Sequence, residues 1–354
     1  MSGRRRIHRE QLRRLALALV VGAGGGFAFQ ALHLPLAWML GPMTFNLAAA
    51  LLRLPVAVPL GLRSAMQVVL GVFLGSAFSP EIAGRVGQWP WSLAGIALFT
   101  LVSTALVAWY YRRLAGLDRI TALYSATPGA MTAMILMGAA AGGDERRIAL
   151  AQALRITLVV LMVPPLVVSL ASGLPAAPTL TAPVIDVPVY EVLLLVAGSG
   201  GGLLLARWLR LPAAELAGPM IISAALYLAG WVHLALPAPL LAVTLWILGS
   251  AVGARFAGVR PQELLRLGRY ALGAVLLALT LAAAFAAVLS LLPGVGFLAA
   301  LLALAPGGVA EMCMIAVAWN IDPAFVASHH LARMLLLIAL APWAGKLLGA
   351  AARR

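Results

Sequence analysis

The chain has 354 residues, of which 63% are hydrophobic and only 10% charged, with a formal net charge of +14. A soluble domain carries about 25% charged residues, so this is not a soluble domain's composition, and repeated apolar runs of about 18 residues or more specify a polytopic all-α membrane protein. The arginines stand in short loops beside those runs, so the basic excess reports membrane topology and not a nucleic-acid surface.

The first run follows Arg4-Arg5-Arg6, Arg9 and Arg13-Arg14, which has the form of a signal peptide. Its Gly22-Ala23-Gly24-Gly25-Gly26, however, recurs as Gly198-Ser199-Gly200-Gly201-Gly202. A segment with an internal counterpart belongs to the mature fold. Residues 1–14 are therefore expected as a basic cytoplasmic flank. The single cysteine, Cys313, excludes an intramolecular disulfide framework.

Further along, Gly41-Pro42-Met43 returns as Gly218-Pro219-Met220, an offset of 177. Gly71, Gly75, Pro128-Gly129, Met134, Asp144, Arg155 and Pro164 return as Gly249, Gly253, Pro306-Gly307, Met312, Asp322, Arg333 and Pro342, an offset of 178. So many matches in one frame mark a tandem duplication. The copies span 15–171 and 188–354, joined by a Pro- and Thr-containing linker, 172–187, without Lys or Arg.

Each copy offers six apolar segments, near 15–32, 34–52, 58–79, 91–111, 120–142 and 146–170, then near 188–209, 213–232, 238–257, 269–291, 296–318 and 324–349. If all six crossed, Arg207, Arg210, Arg255, Arg260, Arg266 and Arg269 would face outside, against the positive-inside rule. If the Pro-Gly segment of each copy instead enters and leaves on one side, each copy crosses about five times and the second is inverted. The basic loops then fall inside, the linker falls outside, and only Arg85, beside Glu81, is misplaced. The expected fold is two inverted-topology repeats, each of five crossings plus one re-entrant or broken Pro-Gly helix. Such repeats, with interrupted helices meeting near the midplane, are the architecture of many secondary transporters.

Two polar positions stand out at membrane depth. Arg155 and Arg333 lie about ten residues into their helices, about 15 Å, and so near mid-membrane. An arginine there must face protein or water and find partners. One reading is that the pair holds an anionic substrate by forked hydrogen bonds. The other is that each ties down hairpin carbonyls or pairs with Glu311. Glu311 matches Ala133 and has no acidic counterpart. It is either specialised for proton or cation coupling or a carboxylate stabilised at a helix N-terminus.

The tips Thr127-Pro128-Gly129 and Pro306-Gly307-Gly308 can present unpaired N–H groups to an anion. Gln152 and His330 sit one turn before each arginine on the same face and join the candidate substrate site. Asp144 and Asp322 read as helix N-caps, and the methionines flanking the tips as core filler. Adjacent His329 and His330 point about 100° apart on a helix, and nothing clusters as a metal site. No metal, no cofactor and no enzymatic activity are expected.

The full-length duplication, the Gly-Pro-Met segments, Ala126-Thr127-Pro128-Gly129-Ala130-Met131 and Ala305-Pro306-Gly307-Gly308-Val309-Ala310-Glu311-Met312 together resemble the AbrB family of membrane proteins. That resemblance implies a multi-pass bacterial inner-membrane protein with a link to regulation of gene expression. The family also carries the label ammonia monooxygenase, a chemistry these residues do not provide. The reading from the residues is a secondary transporter of a small anionic metabolite, with both termini cytoplasmic. Its partners are that substrate and the bilayer, without direct nucleic-acid binding; homo-oligomerisation is left open. The alternative is a membrane sensor that acts, indirectly, on gene expression.

Overall fold

The computed structural model describes residues 2–78, 84, 87, 89–129, 131–170, 188–211, 213–234 and 236–352. The expected linker, the Glu81–Arg85 pair and Arg353-Arg354 lie outside the described residues. Fourteen helices are present among the described residues. In chain order they are α1 (Ser2–Ala31), α2 (Ala37–Leu51), α3 (Leu60–Gly75), α4 (Trp89–Leu114), α5 (Arg119–Ala126), α6 (Met131–Ala140) and α7 (Glu145–Leu170). The second half supplies α8 (Val189–Trp208), α9 (Ala214–Leu228), α10 (Ala238–Ala254), α11 (Pro261–Leu289), α12 (Phe297–Leu304), α13 (Val309–Ala318) and α14 (Pro323–Ala352).

Among the described residues, six stretches are long and apolar enough to cross a membrane, namely Arg9–Ala31, Trp89–Leu114, Glu145–Leu170, Val189–Trp208, Gln262–Leu289 and Pro323–Leu340. The protein is a polytopic helical membrane protein. Every apolar segment of the sequence is helical, and each of the two Pro-Gly segments is two helices. The first differs from expectation in extent, because α1 runs back through the basic flank to Ser2.

The helices divide into two compact units that cut across the sequence repeats. The first comprises α1 to α3 and α8 to α10; the second comprises α4 to α6, α7 as far as Val163, and α11 to α14.

In the first unit, glycines set the helix crossings. A Cβ on Gly25 would meet the carbonyl of Gly41, and one on Gly41 the carbonyl of Gly25. Gly202 and Gly218 stand in the same relation between α8 and α9. Gly249 and Gly253 of α10 lie against the Met39 and Met43 carbonyls of α2, as Gly71 and Gly75 of α3 lie against Leu216 and Ser223 of α9. Backbone-to-backbone approach of this kind is how helices pack where lipid removes the hydrophobic drive between them. The buried Glu191 carboxylate accepts the N–H groups of His233 at 2.9 Å and Leu234 at 2.8 Å, tethering the loop after α9 to the start of α8.

In the second unit, α4 and α11 run antiparallel. Gly95 abuts Leu289, Phe99 packs edge-on against Phe285 with ring centroids 5.4 Å apart, and Gly273 abuts Tyr110. Against them lie the two interrupted segments and the helices that follow each, α7 and α14.

Candidate functional site

Each interrupted segment breaks where proline removes the donor that would continue the helix. In the first, α5 has 8 residues and α6 has 10, about 12 and 15 Å, and so about half a bilayer core each. Asp118 opens α5 as its N-cap, accepting from the N–H groups of Ile120 at 3.0 Å and Thr121 at 2.9 Å. Burial would raise the Asp118 carboxyl, but the Thr121 and Ile120 hydrogen bonds outweigh it and hold the group below its ordinary value. Gly129, with φ +153°, occupies backbone space that side chains rarely enter, and a Cβ there would press on Leu337.

The chain then doubles back. Gly138 lies against Tyr124, and the N–H of Asp144 donates to Thr121 Oγ1 at 2.8 Å. The first Pro-Gly segment is thus a helical hairpin whose two ends meet. In the second, α12 (8 residues) and α13 (10 residues) flank Ala305-Pro306-Gly307-Gly308 and both pack on α14. Asp144 and Asp322 cap the helices that follow, accepting from Arg147 N at 3.0 Å and Phe325 N at 3.1 Å.

The last carbonyls of α5 and α12 have no helical partners, and buried side chains of α7 and α14 supply them. Gln152 Nε2 donates to Tyr124 O at 2.6 Å and Thr127 O at 3.0 Å, and Arg155 Nη1 donates to Thr127 O at 2.8 Å. On the other side, His330 Nε2 bonds Leu302 O at 2.9 Å, and Arg333 Nη1 donates to Leu304 O at 3.1 Å and Ala305 O at 3.0 Å. Tyr124 and Leu302 are 178 positions apart, as are Thr127 and Ala305. Arg333 Nη2 also reaches His330 Nδ1 at 2.7 Å. A guanidinium only donates, so the His330 ring proton resides on Nε2. Both arginines cap the negative ends of short helices.

Both guanidiniums are buried, Arg155 at 6% and Arg333 at 1% exposure, and they are close enough to interact Coulombically. No described carboxylate forms an ion pair with either. Glu311 in particular does not. It is half-buried, with its carboxylate folded back over Gly308 at the N-terminus of α13. Of the two structural partners open to the arginines, the hairpin carbonyls are taken and Glu311 is not.

A small cavity of about 10 Å³ lies among Arg155, Ser103, Tyr111, Ser125, Pro128 and Pro306. Both proline tips therefore line one cavity, beside Arg155.

A family model described as "Transition state regulatory protein AbrB" matches residues 38–349. The chain belongs to the AbrB family. It is 29% identical over 340 residues to "Putative regulator AbrB" of Escherichia coli (strain K12), covering 93% of this chain and 92% of that protein. It is 26% identical over 362 residues to "Uncharacterized protein YhjN" of Bacillus subtilis (strain 168), covering 92% and 90%. No solved structure matches the chain.

In this AbrB-family chain the sequence candidates assemble in one unit. Thr127, Pro128, Gly129, Gln152 and Arg155 form one cluster, and Pro306, Gly307, Gly308, His330 and Arg333 the other, with Glu311 on the far side of its tip. His329 is turned away, stacked on Phe325 with centroids 3.8 Å apart and hydrogen-bonded to Ser92 at 2.8 Å. Among the described residues, no three His, Cys, Asp or Glu side chains converge as a metal site. Sequence reasoning missed Ser103, Tyr111 and Ser125. A weak signal existed, since Ser125 is a hydroxyl three positions before Pro128 where the second copy has Ala303.

Proposed function

We propose that this AbrB-family protein is a secondary transporter of a small anionic metabolite in a bacterial cytoplasmic membrane. One observation carries the reading: two buried guanidiniums stand at paired helix breaks with no carboxylate among the described residues to neutralise them. Burying an uncompensated charge is costly, and a membrane protein that keeps two of them in one unit gains by binding an anion there. Transport then proceeds by alternating access around that site.

Inverted repeats with cytoplasmic termini are part of the proposal. One feature supports inversion: the equivalent helices α4 and α11 run antiparallel. The donors of α7 and α14 reach equivalent carbonyls, each 28 positions back along the chain, which supports the equivalence of the two copies. Glu311 is assigned to coupling, as a carboxylate beside the tip with no ion pair among the described residues.

No enzymatic role and no cofactor are assigned. The word regulator in the name of the Escherichia coli relative fits an indirect effect, in which movement of a metabolite alters gene expression. Uptake into liposomes containing the purified protein tests the reading. Arg155→Ala, Arg333→Ala and Glu311→Gln should abolish uptake with the protein still folded and inserted, and intact uptake in all three would sink it. If a transport-dead variant restored transcript levels in a deletion strain, regulation independent of transport would take its place.

A further inference from the structure

The two arginines are equivalent in sequence but not in what they leave free. Arg333 spends Nη1 on two carbonyls and Nη2 on His330, so only Nε lacks a partner. Arg155 spends only Nη1, on Thr127. Its Nε has no partner, and Nη2 makes no hydrogen bond to a described residue. In a guanidinium the Nε–H and one Nη2–H point the same way and form the fork that matches two carboxylate oxygens. The difference arises one turn earlier. His330 turns its Nδ1 onto its arginine, whereas Gln152 turns its amide N–H groups onto the hairpin carbonyls and leaves Arg155 open.

Arg155 lines the cavity and Arg333 does not. The same cavity is lined by Ser125, whose Oγ is buried without a partner, and by Ser103 and Tyr111. Tyr111 is near enough to Arg155 to interact with it electrostatically. Every one of these polar groups can donate a hydrogen bond. Among the described residues no carboxylate and no second cation lines the cavity, and the remaining wall is Val107, Ala126, Ala274, Ala278 and the two prolines. One fixed positive charge, hydroxyl donors and a small apolar wall select a monoanion with a short apolar tail.

We propose that the Arg155 fork, together with Ser125, Ser103 and Tyr111, is a binding site for the carboxylate of a small monocarboxylate, and that Arg333 serves uptake by holding the second tip in place through Leu304 and Ala305. This deepens, and rests on, the transport reading. About 10 Å³ is room for one water-sized atom. One carboxylate oxygen fits the site as it stands, and the remainder of the ligand requires the Pro128 and Pro306 tips to part. That geometry ties binding to movement of the hairpins.

The test is calorimetry and thermal unfolding of the full chain in nanodiscs, with sodium propionate, disodium succinate, sodium phosphate and sodium chloride as probes. Propionate should bind saturably and raise the melting temperature, at least about tenfold tighter than the other three. Ser125→Ala should leave the melting temperature of the unliganded protein unchanged, since Oγ has no protein partner to lose, yet weaken propionate about tenfold. Arg155→Lys keeps the charge but removes the fork and should weaken it about a hundredfold. Binding that survives both variants, tighter binding of succinate, phosphate or chloride, or no binding of any probe overturns the site or its class.

The transport reading fails separately. Arg155-dependent propionate binding without uptake into liposomes would overturn transport and leave the site. Arg155-dependent uptake of a different anion, with no propionate binding, would overturn the monocarboxylate and leave transport.

Discussion

Arg155 reaches 28 positions back along the chain to place Nη1 2.8 Å from the carbonyl of Thr127. Arg333 does the same to Ala305 and adds bonds to Leu304 and His330. Removing the two side chains should therefore have unequal effects on stability. Arg333→Ala strands two buried carbonyls and an imidazole nitrogen, and it should cost about 3 kcal/mol. In Arg155→Ala the lost bond is offset by relief of an unpaired buried charge, so the cost should stay near about 1 kcal/mol. Denaturant unfolding of both variants in one lipid environment checks this. Equal losses would mean that the two arginines do the same job.

The inequality marks where the sequence stops being informative. The twelve apolar segments and the Pro-Gly breaks are local patterns, and they were legible. So was the need of Arg155 and Arg333 for partners inside the protein, because an arginine in an apolar helix must find them. The neighbours of Arg155 were not. Ser103 and Tyr111 lie on α4, and nothing local links them to a hairpin tip. The two compact units were equally hidden, since a repeat is a statement about ancestry of sequence and a unit is one about packing. Nor does the sequence tell that His330 closes a fork which Gln152 leaves open. That depends on which nitrogen each side chain points where.

The glycines of the first unit separate into packed and open positions. Gly25, Gly41, Gly202 and Gly218 each face another helix's backbone, while a Cβ on Gly24, Gly200 or Gly201 would meet nothing. Gly41→Ala and Gly218→Ala should force their helices apart and destabilise the protein by about 1–3 kcal/mol. Gly24→Ala and Gly200→Ala should be neutral or stabilise by up to about 1 kcal/mol through helix propensity. Thermal unfolding of the four variants decides it, and a common effect on all four would show that close approach does not matter.

Asp118 gives a pH-dependent contribution to the first hairpin. Its carboxyl lies below its ordinary value in the folded protein, so its stabilising effect is fully present above the unfolded carboxylate value. The effect is lost as pH falls through the lower, folded one. Asp118→Ala should cost about 1 kcal/mol at neutral pH. The gap between variant and wild type should close only under acid conditions below the usual carboxylate range. Hydrogen exchange at the Ile120 and Thr121 amides, followed against pH, is the direct measurement. A gap that persists unchanged in acid would show that the cap does not act through its charge.

Inversion of the repeats makes a sharp prediction about two equivalent loops. α4 ends at Leu114, beside Arg112 and Arg113, and its counterpart α11 is followed by the neutral Leu291-Leu292-Pro293-Gly294. Leu114 is 56% exposed and Leu291 82%, so a cysteine at either position is reachable by a thiol reagent and costs little packing. The one native thiol, Cys313, is fully buried, and Cys313→Ala removes it as background. In that background an impermeant maleimide added to intact cells should label Leu291→Cys and spare Leu114→Cys until the membrane is opened. Parallel repeats would put both on one side and give both cysteines the same labelling pattern. The arginines make the outcome physical as well as topological. Moving Arg112 and Arg113 to the outer face would reverse the charge bias that orients the helices during insertion, and it would leave the neutral loop with nothing to hold it inside.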